Sequence, residues 1–113
     1  MAKVVCVGLA VLDHVFMVPE IPKVPTKWHA NAYHPVGGGN AATAAVAISR
    51  AGGEAVYWGR MGDDDNGRLI LQELEEYNVD VQYVHRLEGV CSGVSAVLVD
   101  SDGERLIVNY SDP

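Results

Sequence analysis

One segment, Gly37 to Asp64, reads GGGNAATAAVAISRAGGEAVYWGRMGDD and constrains this chain more than any other. Three glycines precede an alanine-rich stretch, Gly52-Gly53 closes it, a short apolar run follows, and the segment ends in Gly62-Asp63-Asp64. The pattern predicts a helix over 39–51 whose small side chains allow close packing, then a core strand over 54–60. Glycines at a helix start let backbone approach a ligand closely. The helix N-terminus offers free N–H groups and a partial positive charge to anionic or hydroxyl-rich ligands. The plainer reading of the same glycines is a flexible turn.

The flanks fit an α/β protein. Residues 3–9 are a continuous apolar run, as in a strand buried on both faces. Residues 14–34 hold Pro19, Pro22 and Pro25 and two alternating pieces, near 14–18 and 27–33, which read as short exposed strands. One of Asp63, Asp64 or Asp65 caps a helix to about Tyr77, with Ile70, Leu71, Leu74 and Tyr77 on one face and Gln72, Glu73, Glu75 and Glu76 toward water. Residues 80–85 read as a third strand, giving β-α-β-α-β and an open sheet. Beyond it, GVSAVLVDSDGERLIVNY is two alternating strands around Asp102-Gly103, a hairpin signal. Three core strands and two helices make half an α/β domain, so the expectation is the N-terminal part of a longer protein.

The 113 residues suit one domain, and a net charge of −7 argues against nucleic acid or an anionic membrane as partner. VVCVGLAVL is too short to span a bilayer and no cleavage site follows it, so a cytoplasmic protein is expected. Cys6 and Cys91 read as buried free thiols in a reducing compartment.

Asp13 is expected at the carboxyl end of the first core strand, where open α/β sheets bind ligands and a carboxylate can take two sugar hydroxyls. A loop or capping role is the alternative. Gly37-x-Gly39-x-x-Ala42 fits the dinucleotide fingerprint, but Tyr33-His34-Pro35-Val36 precedes it instead of the first strand of the fold. No Walker-type lysine loop occurs. Asp63-Asp64-Asp65 fails calcium-loop spacing and reads as helix capping, and His14, His29, His34 and His85 lack paired metal spacing, so no metal ligand is assigned. His29 and His34 flank the glycines. Asn109 and Tyr110 end the second hairpin strand, either as a terminal polar pair or in reach of a ligand held by the glycines.

These residues together resemble the N-terminal part of the ribokinase-like, pfkB-type carbohydrate kinases. The resemblance rests on Gly8 and Asp13, Gly37-Gly38-Gly39, and Thr43 with Gly52 and Gly62 nine and nineteen residues after it. GDDDNG and GERLIVNY are also similar to family segments, and the match covers essentially the whole chain. The family usually has Asn where Thr43 stands; Thr keeps a hydroxyl but loses the amide and its reach. GGG-x-AATAAVA, GDDD and the terminal Asn-Tyr are most similar to 6-deoxy-6-sulfofructose kinases.

The resemblance implies a doubly wound α/β sheet with a small β-sheet lid built from residues about 14–34 and 93–110. It implies a homodimer through that lid, and MgATP-dependent phosphorylation of a sugar hydroxyl. Asp13, Gly37, Gly38, Gly39, Thr43 and Asn109 would bind the sugar, with Asn109 or His29 near a distal sulfonate. ATP, Mg2+ and the catalytic base would belong mainly to a C-terminal part not in this chain, so the segment alone is expected to be inactive. The alternatives are a dinucleotide-binding oxidoreductase domain and a non-catalytic module that dimerises through its exposed strands.

Overall fold

The computed structural model describes residues 2–113. In chain order the elements are β1 (Lys3–Val7), β2 (Val11–Met17), β3 (Ala32–Gly38), α1 (Asn40–Arg50), β4 (Glu54–Trp58), β5 (Arg60–Gly62), α2 (Asp65–Glu76), β6 (His85–Leu87), β7 (Gly93–Val99) and β8 (Arg105–Tyr110). β1 pairs with β4 and β5 with β6, both in parallel, while β3-β2-β7-β8 form a separate four-stranded sheet.

Local chemistry sets the limits of α1. Gly39 precedes it at φ 94, a left-handed value that costs glycine little, and a Cβ there would lie 2.5 Å from the Leu9 carbonyl oxygen. At the other end Gly52, at φ 90, donates its N–H to Ser49 O while Gly53 donates to Ile48 O, both at 3.0 Å, which uses carbonyls the helix leaves free. Ala41, Ala42 and Ala45 are buried, and their small size lets α1 settle closely against β1 and β4. Tyr57 is wholly buried; its hydroxyl donates to the Gly8 carbonyl at 2.7 Å, and burial pushes its pKa up to about 12.

α2 begins at Asp64, whose carboxylate accepts the Gly67 N–H at 2.8 Å. Ile70 and Leu74 drive into the shared core, Leu71 packs at its margin, and Tyr77 stays partly exposed.

Four expectations are corrected. β1 is not buried on both faces: only Cys6, on the face that α1 covers, is buried, and Val4, Val5 and Val7 are exposed. The third strand is not 80–85; Asp80 makes an isolated parallel bridge to Val56, and β6 starts at His85 beside β5. The exposed piece near 14–18 belongs to a longer strand, β2 from Val11, whereas most of 27–33 lies outside any strand and β3 begins only at Ala32. Cys91 is exposed, since it lies in the turn before β7; Cys6 is buried and both thiols are free.

Candidate sugar-binding site

The four-stranded sheet places residues that are distant in sequence side by side. β2 runs antiparallel to β3 and parallel to β7, and β7 is antiparallel to β8. The register aligns Val36, Asp13, Ser95 and Asn109 in one row, so their side chains share one face. Asp13 is therefore the third residue of β2, and not at the end of the first core strand: β1 stops at Val7 and the chain turns through Gly8–Ala10. The one ion pair among the described residues joins Arg86 to Asp63 at 3.2 Å, so no protein cation neutralises the Asp13 carboxylate.

Asn109 is held from both ends. Its amide nitrogen donates to Val94 O at 3.2 Å and Ser95 Oγ at 3.0 Å, and its oxygen accepts from Ser111 Oγ at 3.2 Å. The side chain in this orientation offers a ligand an acceptor, because both amide hydrogens are used. Ser95, 5% exposed, stands between Asp13 and Asn109. Sequence reasoning missed it, although counting outward symmetrically from the Asp102 turn pairs it with Asn109.

The glycines divide their work. Gly37 and Gly38 are the last residues of β3 and face opposite sides of the sheet; only Gly39 is the turn into α1. A Cβ on Gly38 would stand 2.3 Å from Asp13 Oδ2, and one on Gly37 would stand 2.9 Å from Glu73 Oε2. Each glycine thus leaves space for a carboxylate, one on each face. Glu73, expected to face water, is half-buried and accepts the Gly37 N–H at 2.7 Å, because α2 packs beside β2. No local sequence signal marks that contact.

A cavity of about 200 Å³ opens between α1 and α2, lined by Gly37, Gly38, Thr43, Arg50, Glu73 and Tyr77 among others. Thr43 stands exposed near the start of α1 and belongs to this cavity, whereas Asp13 and Asn109 belong to the row on the sheet; Gly38 is common to both. His34 is one row beyond Asp13 on the same face, and His29 is exposed outside any strand. His14 faces the other way and bonds the Tyr33 hydroxyl through Nδ1 at 2.8 Å. The dinucleotide fingerprint is not realised, since the strand leading into α1 is an antiparallel edge strand of the small sheet. Among the described residues no group of three or more His, Cys, Asp or Glu side chains is arranged to hold a metal ion, and no helix is long and apolar enough to cross a membrane.

The profile of the pfkB family carbohydrate kinases matches residues 1–113. The chain belongs to this family. An ATP-dependent ribose-1-phosphate kinase from Halopiger xanaduensis is 34% identical over 104 residues, which cover 92% of this chain and 35% of the relative. Fructokinase-1 of Zea mays is 34% identical over 110 residues, covering 97% of this chain and 33% of the relative. Among solved structures, a ribokinase-class protein from Agrobacterium tumefaciens superposes with a TM-score of 0.93 at 40% identity, over 97% of this chain and 36% of that one. Arabidopsis thaliana ribokinase, solved with ribose and ATP, gives 0.79 at 27% identity, over 94% and 35%. The fold is the mixed α/β ribokinase fold in its N-terminal portion. The chain spans about a third of the length of these pfkB relatives.

Proposed function

We propose that this chain is the sugar-binding portion of an ATP-dependent carbohydrate kinase. The observation that carries the reading is the Asp13 carboxylate, free of any protein cation and seated against Gly38, in a member of a sugar-kinase family. Asp13 would accept hydrogen bonds from substrate hydroxyls, Gly37–Gly39 would line the sugar with backbone, and Thr43 would add a hydroxyl contact. Asn109 would meet the distal end. Its free valence is an acceptor, which suits a hydroxyl better than a sulfonate.

Phosphoryl transfer needs a base, donors for the moving phosphate and a metal. The described residues do not fit the last two: they hold no metal-binding cluster, and the glycines carry no lysine for phosphate. ATP and Mg2+ would be held by the part of the enzyme that corresponds to the two thirds of the relatives outside the match. The four-stranded sheet would act as the lid, β2 and β3 with β7 and β8, and as the surface of a homodimer.

The substrate class is a ketose. The GGG-x-AATAAVA and GDDD segments and the terminal Asn109-Tyr110 support 6-deoxy-6-sulfofructose, while the maize relative's name supports fructose. The test is sugar-dependent ADP release by the full-length protein with fructose, ribose and 6-deoxy-6-sulfofructose compared by kcat/KM. Release with at least one sugar is expected. A change in NADH fluorescence with no ADP release from any sugar would favour the oxidoreductase alternative.

A further inference from the structure

We propose that Glu73 is a positioning residue for sugar binding, acting through Gly37; the proposal rests on the sugar-kinase reading above. β3 is an edge strand of its sheet, so every second N–H points away from β2 toward no strand partner. The Gly37 N–H is one of these, and Glu73 Oε2 takes it at 2.7 Å. A hydrogen bond to an ionised carboxylate is stronger than one between neutral groups. Among the described residues no ion pair competes for Glu73: the Arg50 guanidinium, which shares the cavity, lies over the Tyr77 ring at 5.8 Å.

This bond adds a second hold on backbone that the ladder to β2 holds from one side only. Gly37 and Gly38 end β3 and Gly39 turns into α1, and glycine has the widest conformational freedom of any residue. Gly38, the next residue, is the wall against which the Asp13 carboxylate sits on the opposite face. Glu73 therefore sets where that wall stands. The same helix also holds the other root of the sheet. Asp64, at the start of α2, accepts the Ser92 N–H at 2.9 Å and the Ser92 hydroxyl at 2.6 Å, just ahead of β7. α2 thus anchors both strands that flank Asp13 in β2, with one carboxylate at each end.

The experiment compares Glu73→Ala, Glu73→Gln and the solvent-side control Glu75→Ala in the full-length enzyme. Glu73→Ala should raise the sugar KM about tenfold or more, with kcat and the ATP KM within about twofold of wild type. Glu73→Gln keeps an acceptor and should recover most of the sugar affinity, and Glu75→Ala should match wild type. A Glu73→Ala enzyme with unchanged sugar KM, or one whose kcat and melting temperature fall while sugar KM holds, overturns the proposal. So does a Gln variant no better than Ala. Hydrogen exchange of the 37–39 amides without sugar separates this from the kinase reading. Faster exchange in Glu73→Ala, in a protein that phosphorylates no sugar, leaves the latch standing and removes the kinase. Unchanged exchange removes the latch whatever the activity.

Discussion

Gly38 and Gly39 are neighbours that fail for different reasons when given a side chain. At Gly38 the obstacle is the Asp13 carboxylate, the end of a side chain that can swing aside. At Gly39 the obstacle is the Leu9 main chain, and φ is 94. Gly39→Ala is therefore expected to cost about 1–2 kcal/mol of stability from the left-handed backbone alone, more with the clash. Gly38→Ala should fold with a smaller loss but raise the sugar KM, because Asp13 is displaced. Thermal denaturation and sugar kinetics on both variants check this. A Gly38→Ala enzyme with wild-type sugar KM would show that the Asp13–Gly38 contact has no part in binding.

Among the elements, α2 depends most on one residue. Asp64 caps it and, through Ser92, ties it to β7. Burial pushes the Asp64 carboxyl up. Hydrogen bonds from the Ser92 hydroxyl and N–H and the Gly67 N–H, with the charge of Arg86, outweigh that and hold its pKa below the ordinary value. A carboxyl whose folded pKa is depressed stabilises the fold above its unfolded value and loses that contribution as pH falls through the folded value. Wild type should thus lose stability below about pH 4, with Asp64 among the causes. Asp64→Ala should cost about 2 kcal/mol at neutral pH and show a shallower acid dependence. Urea titrations at several pH values measure both. Equal stability of the two proteins at neutral pH would contradict the capping role.

The same scale shows what the sequence could reveal. α1, α2 and the β7–β8 hairpin were readable because caps, glycine stops and the Asp102-Gly103 turn act over a few residues. The position of Asp13 was misread because β2 follows β1 after only a short turn, and nothing local says that the chain leaves one sheet for another. The parallel β2–β7 pairing, which sets Asp13 beside Ser95, joins distant segments. Glu73 looked like any charged residue on the wet face of an amphipathic helix. Its role depends on where β3 lies, and only the tertiary packing fixes that.

At the scale of the whole molecule, the four-stranded sheet carries the Asp13 row on one face, while the other is covered by α2 at its root around Leu12 and Gly37 and is open beyond it. On that outer face Tyr33, Leu106, Val108 and Tyr110 are all exposed. Apolar and aromatic residues arrayed in this way mark an interaction surface, and a second copy of the same sheet is its proposed occupant. Full-length protein should sediment as a dimer, and Val108→Lys should weaken it; a monomeric wild type would contradict this reading. The Asp13 face is proposed to receive a sugar for phosphorylation. The most direct measurement is the sugar dependence of ADP release by full-length wild type and Asp13→Ala. Sugar-dependent release is expected in the wild type, with a sharply raised sugar KM, or no turnover, in the variant. Indistinguishable sugar kinetics in the two proteins would contradict it.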